Sequence, residues 1–382
     1  MLKVLFFALA DNASNFYRLV QPAKKLDEQK LCTVGVATSQ DFAEARAKAA
    51  QISDVIVFYS ATSPRLADGF DKLHKMGKKI VMDFNDDIFH LSPYSPHYAV
   101  YGTEEAIIFD EDGLAVKLWE AGVNIDLEKN RKFMAEQLEV IKAVELITVT
   151  TPYLAKVYEE YNRTAVLPDM VDLNVWKPLR VSYPESHFRL GWRGGHSHYE
   201  DLISVKSEIG KIMQRFPHVK LVMSGWNPGA FSGELPKSRV ESHPFVGYAA
   251  WPYHAMSLGI NAAFYPWKTI EFNKGKNNLA WIEWSAAGVP GVYPALDPYT
   301  DHVRHGETGL LALSNEGFYE NVSQLIKDVR LRTRIGWEAR REVEKNWDIN
   351  RHIGRWKETY EWLYTESLDR KAASGDFASA SI

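Results

Sequence analysis

The feature that most constrains this chain is an alternation running almost its whole length, in which short apolar runs are each followed by a longer stretch with helical spacing. Residues 3–9, 33–36, 54–58, 79–84, 146–149 and 164–167 read as strands. A continuous apolar run marks a strand covered on both faces, which is the condition of a parallel sheet flanked by helices. Pro168, Pro178 and Pro184 then punctuate a stretch without periodicity, and the alternation restarts at residues 188–192, 220–224, 244–246, 261–265, 291–293 and 309–311. Two doubly wound α/β domains are expected, which suits a length of 382 residues. The first spans 1–178 with an irregular insertion at 85–126, the second spans 185–350, a charged helix covers 351–370, and a small polar tail covers 371–382.

Composition removes several function classes. A formal net charge of -4 gives no overall basic footprint for nucleic acid. The single cysteine, Cys32, excludes an internal disulfide and a Cys-based zinc site and fits a cytoplasmic, reducing setting. No run approaches the roughly 20 apolar residues of a membrane span, although peripheral contact with a membrane stays open. Lys3 and the apolar run behind it, with Ala8 and Ala10 spaced as at a cleavage site, read as a buried first strand more than as a signal peptide. The sequons at Asn12, Asn162 and Asn321 therefore carry little weight.

Open α/β sheets bind ligands beyond the carboxyl ends of their strands, so the loops after strands hold the candidates. In Gly191-Trp192-Arg193-Gly194-Gly195-His196-Ser197-His198 the adjacent glycines Gly194 and Gly195 let backbone approach an anion, and Arg193 offers a bidentate phosphate contact. His196 and His198 lack a third ligand nearby and read as loop residues rather than a metal pair. Further on, Lys276, Asn277 and Asn278 fall at the start of a helix, where free N–H groups, the dipole and an ammonium together attract a diphosphate. Glu283 follows at i, i+7 from Lys276, and its neighbours Trp281, Ile282, Trp284 and Ala286 predict a buried helix. A buried carboxylate needs a partner, such as the vicinal hydroxyls of a ribose.

In the first half, Asn15 and Arg18 follow the first strand, with Ser14 read as a cap. Asp83, Asp86 and Asp87, with His90 behind, resemble a metal-binding cluster, but Asp86 and Asp87 are read as carboxylates that meet substrate hydroxyls. Tyr94, Tyr98, Tyr101 and Trp119 in the insertion suit either an acceptor platform or a packed lid.

Taken in order, Gly191, Gly194-Gly195, the run from Asn273 to Glu283, Ala286-Ala287-Gly288-Val289-Pro290 and His305-Gly306-Glu307-Thr308-Gly309-Leu310-Leu311 resemble the C-terminal domain of glycosyltransferase family 4. Thr150-Thr151-Pro152-Tyr153-Leu154 and Leu167-Pro168-Asp169 resemble the end of its N-terminal domain, where Asn is more usual at position 169. The resemblance implies a GT-B fold of two Rossmann-like domains facing across a cleft, with the C-terminal helix crossing back to the first. It implies a retaining transferase that moves a hexose from a UDP- or GDP-sugar to a glycan, a lipid-linked acceptor or another hydroxyl, with no metal or other cofactor required. Lys276, Glu283, Arg193 and Asp87 are then the catalytic candidates. Gly194, Gly195, Asn277, Asn278 and Glu283 hold the donor, and Asn15, Arg18, Asp86 and His90 hold the acceptor. Two departures from the family stand out: the first Glu of its E-x7-E motif falls on Gly275, and Trp192 and Ser197 stand where Arg and Lys are usual. A hydroxymethylated nucleic-acid base as acceptor, a nucleotide-sugar-binding protein without turnover, and a phosphorylase or epimerase remain alternatives.

Overall fold

In a computed structural model, residues 1–60, 65–95, 97–109, 115–117, 125–178, 187–225 and 235–374 are described. Trp119, Trp226 and the end of the polar tail lie outside them. The described residues divide into two compact units, one drawn from 1–85, 135–168 and 349–382, the other from 86–134 and 169–348. The segment after the fourth strand thus groups with the second unit rather than the first.

The first unit is built on β1 (Lys3–Ala8), β2 (Thr33–Thr38), β3 (Val55–Tyr59), β4 (Lys79–Phe84), β7 (Leu146–Val149) and β8 (Thr164–Val166). They form one parallel sheet in the order β2-β1-β3-β4-β7-β8. The central strands are the apolar runs of the sequence, and β7 is buried at every position. The Thr151 hydroxyl accepts from the Leu154 amide at 3.2 Å and caps the helix Pro152–Glu159, a contact worth about 1 kcal/mol. The helix Gly354–Ser374 supplies buried Trp356 and Tyr360, the latter edge-on to Phe6 at 6.0 Å.

The second unit carries β9 (Phe188–Gly194), β10 (Val219–Gly225), β11 (Val240–His243), β12 (Ala262–Phe264), β13 (Gly291–Pro294) and β14 (Leu310–Ala312). Its parallel order, β11-β10-β9-β12-β13-β14, reverses between β9 and β12. That is the strand order of a dinucleotide-binding sheet, whose ligands sit outside the carboxyl ends at the reversal. The strand expected at 244–246 is instead β11, four residues earlier. β11 is an edge strand with no fully buried position, so its sequence Val-Glu-Ser-His lacks the apolar run used to find the others.

Within the segment after β4 the described residues include the helix Tyr98–Tyr101 and an antiparallel pair of strands, β5 (Ile107–Phe109) and β6 (Ala115–Lys117). Tyr98 packs with Ala106, Leu91, Ile108 and Ile125 in a small core of its own, and Tyr101 is buried. Asn130 ties this segment down by donating to the carbonyls of Ala99 and Gly102 at 3.1 and 2.9 Å. Among the described residues no helix is long and apolar enough to cross a membrane.

Candidate functional site

The reversal between β9 and β12 brings together loops separated by about seventy residues of sequence. β9 delivers Arg193 and Gly194 at its carboxyl end. A Cβ on Gly194 would stand 2.5 Å from the Trp192 indole, so this position takes only glycine without a shift, while one on Gly195 would meet nothing within 4 Å. The neighbouring Gly225 has φ +96, and a Cβ there would press to 2.5 Å from the Gly194 carbonyl oxygen. Side-chain-free backbone at the ends of β9 and β10 is what an anion needs for close approach.

The helix Leu279–Ala286 starts beside these loops and is buried at every position. Its mean character is apolar, so Glu283, fully buried, stands out. It pairs with the Arg193 guanidinium, which also lies 5.8 Å from the Trp251 ring. Asn277 Oδ1 accepts from the Leu279 amide at 3.1 Å, and Asn277 Nδ2 donates to Asp169 Oδ2 at 2.7 Å. The helix start is thereby tied to Asp169. Asn278 is buried, and its Nδ2 has no hydrogen-bond partner among the described residues.

Lys276 is 7% exposed. Its ammonium lies 3.6 Å from Asp201 Oδ2 and 3.1 Å from His198 Nδ1, and faces the Phe272 and Trp267 rings at 5.0 and 5.9 Å. Burial pulls the Lys276 titration down, opposed by the carboxylates of Asp201 and Asp86. Burial pushes Asp86 up in turn, with Lys276 as the main opposing charge. His198 Nδ1 also sits 3.0 Å from Asp201 Oδ2, and its Nε2 meets the Tyr265 hydroxyl at 2.8 Å. Burial, then the Lys276 ammonium, lower His198 to about 4. It is therefore neutral at pH 7, and one ring nitrogen donates while the other accepts.

That shift carries a consequence for stability. The folded His198 titrates below the ordinary value near 6.5, so between those limits the unfolded chain binds the extra proton and acid favours unfolding. Acidifying from pH 7 to pH 5 should cost roughly 2 kcal/mol at this site. A His198→Gln variant, neutral throughout, should lose that component, so urea midpoints of the two chains should converge or cross on acidification. Parallel pH profiles would show that His198 is not held neutral.

The acidic cluster after β4 is drawn apart. Asp83 belongs to the first unit, where it forms a two-pronged pair with Arg18 at 2.8 Å on each side and accepts from Thr148 Oγ1 at 2.6 Å. Arg18, buried there and also donating to the Leu167 carbonyl, braces the sheet rather than projecting toward a ligand. Asp87 is spent on a turn, accepting from the Phe89 and His90 amides at 2.9 and 3.3 Å and meeting His90 Nδ1 at 2.8 Å. Asn15 is buried and donates to Asn12, whose side chain caps the turn. Ser14 accepts from Asn85 at 2.8 Å. Among the described residues no three His, Cys, Asp or Glu side chains converge as metal ligands.

No protein-family model matches this chain, and no curated protein matches it. Solved structures do. The sucrose-phosphate synthase of Thermosynechococcus elongatus superposes with a TM-score of 0.66 at 13% identity, over 96% of this chain and 100% of that one. Anabaena HepE, solved with UDP and glucose, gives 0.61 at 15% identity over 94% and 100%. A glycosyltransferase of Rickettsia africae gives 0.61 at 10% over 96% and 98%. The fold is GT-B. Within its GT-B second unit, Arg193, Glu283 and Lys276 are gathered at the β9–β12 reversal. Asp87 and Arg18 are engaged in turn and sheet contacts instead. Asp201, Tyr265 and Trp251 complete the surroundings and were not singled out from sequence, while His198, read there as a loop residue, and Asp169, noted only as a departure from the resembled pattern, both join the site. The His198-to-Asp201 spacing of i, i+3 across a helix start was the available signal.

Proposed function

We propose that this chain is a glycosyltransferase that moves a sugar from a nucleotide-diphosphate sugar to an acceptor hydroxyl, and that the second unit binds the donor. The observation that carries the reading is a pair of cations, Lys276 buried and Arg193 largely so, at a strand-order reversal and beside the start of a buried helix. Two fixed positive groups and open glycine backbone suit a diphosphate, whose negative charge grows as the anomeric C–O bond breaks. Glu283, beside Arg193, is the acceptor for the ribose hydroxyls, and the Asn277 and Asn278 region meets the sugar phosphates. UDP is the favoured nucleotide, since HepE was solved with UDP-glucose and the S. aureus neighbour TarM with fondaparinux, α-GlcNAc-glycerol and UDP.

Family resemblance supports retention of configuration. The new bond forms between the acceptor oxygen and the anomeric carbon, on the face the phosphate leaves, and the acceptor proton passes to the departing phosphate oxygen. The fixed cations take the role that a metal has elsewhere, so none is required. A glycan or lipid-linked hydroxyl is the proposed acceptor, with Asp86, His90 and Asn15 as its polar candidates. Calorimetric titration with UDP, GDP and their glucose conjugates, with and without a chelator, tests the reading. Micromolar UDP binding that survives chelation, with release of sugar from UDP-sugar, is the expected result. Failure of every nucleotide to bind would sink it.

A further inference from the structure

One carboxylate in the second unit joins everything around Lys276. Asp201 is 2% exposed and follows β9 by one short turn, yet its contacts reach the loop after β12. Oδ1 accepts from the Lys268 amide and from Asn273 Nδ2, both at 2.8 Å. Oδ2 faces His198 Nδ1 at 3.0 Å and the Lys276 ammonium at 3.6 Å. Asn273 in turn donates to the Lys268 carbonyl at 2.9 Å, which closes the loop on itself. One oxygen of Asp201 therefore braces a loop and the other faces the charge.

Resting on the glycosyltransfer reading, we propose that Asp201 is the positioning residue of the donor site, holding Lys276 charged and in place until the donor diphosphate takes over as its partner. The ammonium sits among aromatic faces and is nearly out of water, where a charge is retained only with a counter-charge. Four groups face it: Asp201 and Glu200 from the helix after β9, Asp86 from the segment after β4, and neutral His198. Asp201 is the largest favourable influence among them. Two roles, brace and charge, predict different outcomes when separated.

Asp201→Asn keeps the shape and removes the charge. Loss of an opposite charge at this range lowers an amine's titration by about 1 to 3 units. With lysine labelled on its ε-carbon, NMR of the full chain should show the Lys276 signal, assigned by its disappearance in Lys276→Arg, titrating lower by that amount. UDP binding by Asp201→Asn should then be within about threefold of the parent near pH 6.5 and fall at least tenfold more steeply above pH 8. Asn273→Ala, which cuts only the brace, should leave the Lys276 titration where it is. Lys276→Arg, which does not titrate in this range, should lose the alkaline fall altogether and serves if Asp201→Asn does not fold. An unmoved Lys276 titration in a folded Asp201→Asn would overturn the proposal and reduce Asp201 to a loop brace. A shifted titration with no UDP bound by the parent chain would uphold the hold on Lys276 and overturn the glycosyltransfer reading instead.

Discussion

Replacing Lys276 with methionine is expected to slow sugar transfer by about 10²- to 10³-fold, the usual loss when one fixed donor to a developing negative charge is removed. Methionine is flexible and close to lysine in length, and its thioether suits the Phe272 and Trp267 rings that the ammonium faces at 5.0 and 5.9 Å. Asp201 keeps its two donors on Oδ1 but loses its cation while 2% exposed, so the melting temperature should fall as well. The effect on the chemistry should appear in the rate constant for transfer and in UDP affinity, measured at a temperature where the variant stays folded. Single-turnover assays with UDP-sugar, alongside thermal unfolding, separate these quantities. Transfer within threefold of the parent would remove Lys276 from the chemistry.

The second large effect is on folding. Glu283→Ala should destabilise the chain by about 3–5 kcal/mol, because it leaves the Arg193 guanidinium largely buried without its carboxylate. Removing both charges together, as Arg193→Met with Glu283→Leu, should recover most of that loss, since a well-packed apolar pair often equals a buried ion pair. Urea unfolding of the three variants gives the coupling directly. Donor binding should be absent in the double variant even where stability returns, which distinguishes a ligand-binding pair from a purely structural one. A Glu283→Ala chain as stable as the parent would show that the pair is open to water.

Much of the scaffold was legible along the chain because parallel strands buried on both faces must be apolar throughout. β7 comes closest to that condition, and β4 and β9 keep an apolar run around Asp83 and Arg189; each was found within about two residues. β11 was displaced because an edge strand has only one neighbour and tolerates Glu241 and His243, so nothing apolar marks it. The tyrosines of the segment after β4 show the same limit. Composition offered a platform, but Tyr98 and Tyr101 turn inward on a local core, and Tyr94 packs against Tyr199 at 4.9 Å.

Sequence by itself determined the two doubly wound halves, the helix start at Lys276 to Asn278, and the burial of Glu283. Each follows from local pattern: period, glycine placement, and the apolar neighbours of one carboxylate. Only the tertiary structure decided which charges meet. Arg193 and Glu283 are ninety positions apart in the chain, and Lys276 finds Asp201 and His198 across a similar interval. Neither pairing leaves a trace in local spacing, because it is set by the reversal of strand order between β9 and β12. In the first unit Asp83 is bound to Arg18, whereas Asp87 is bound to its own turn, although these two carboxylates stand within five positions of each other. Buried charge must find a partner, and the fold, not the interval between residues, chooses which one.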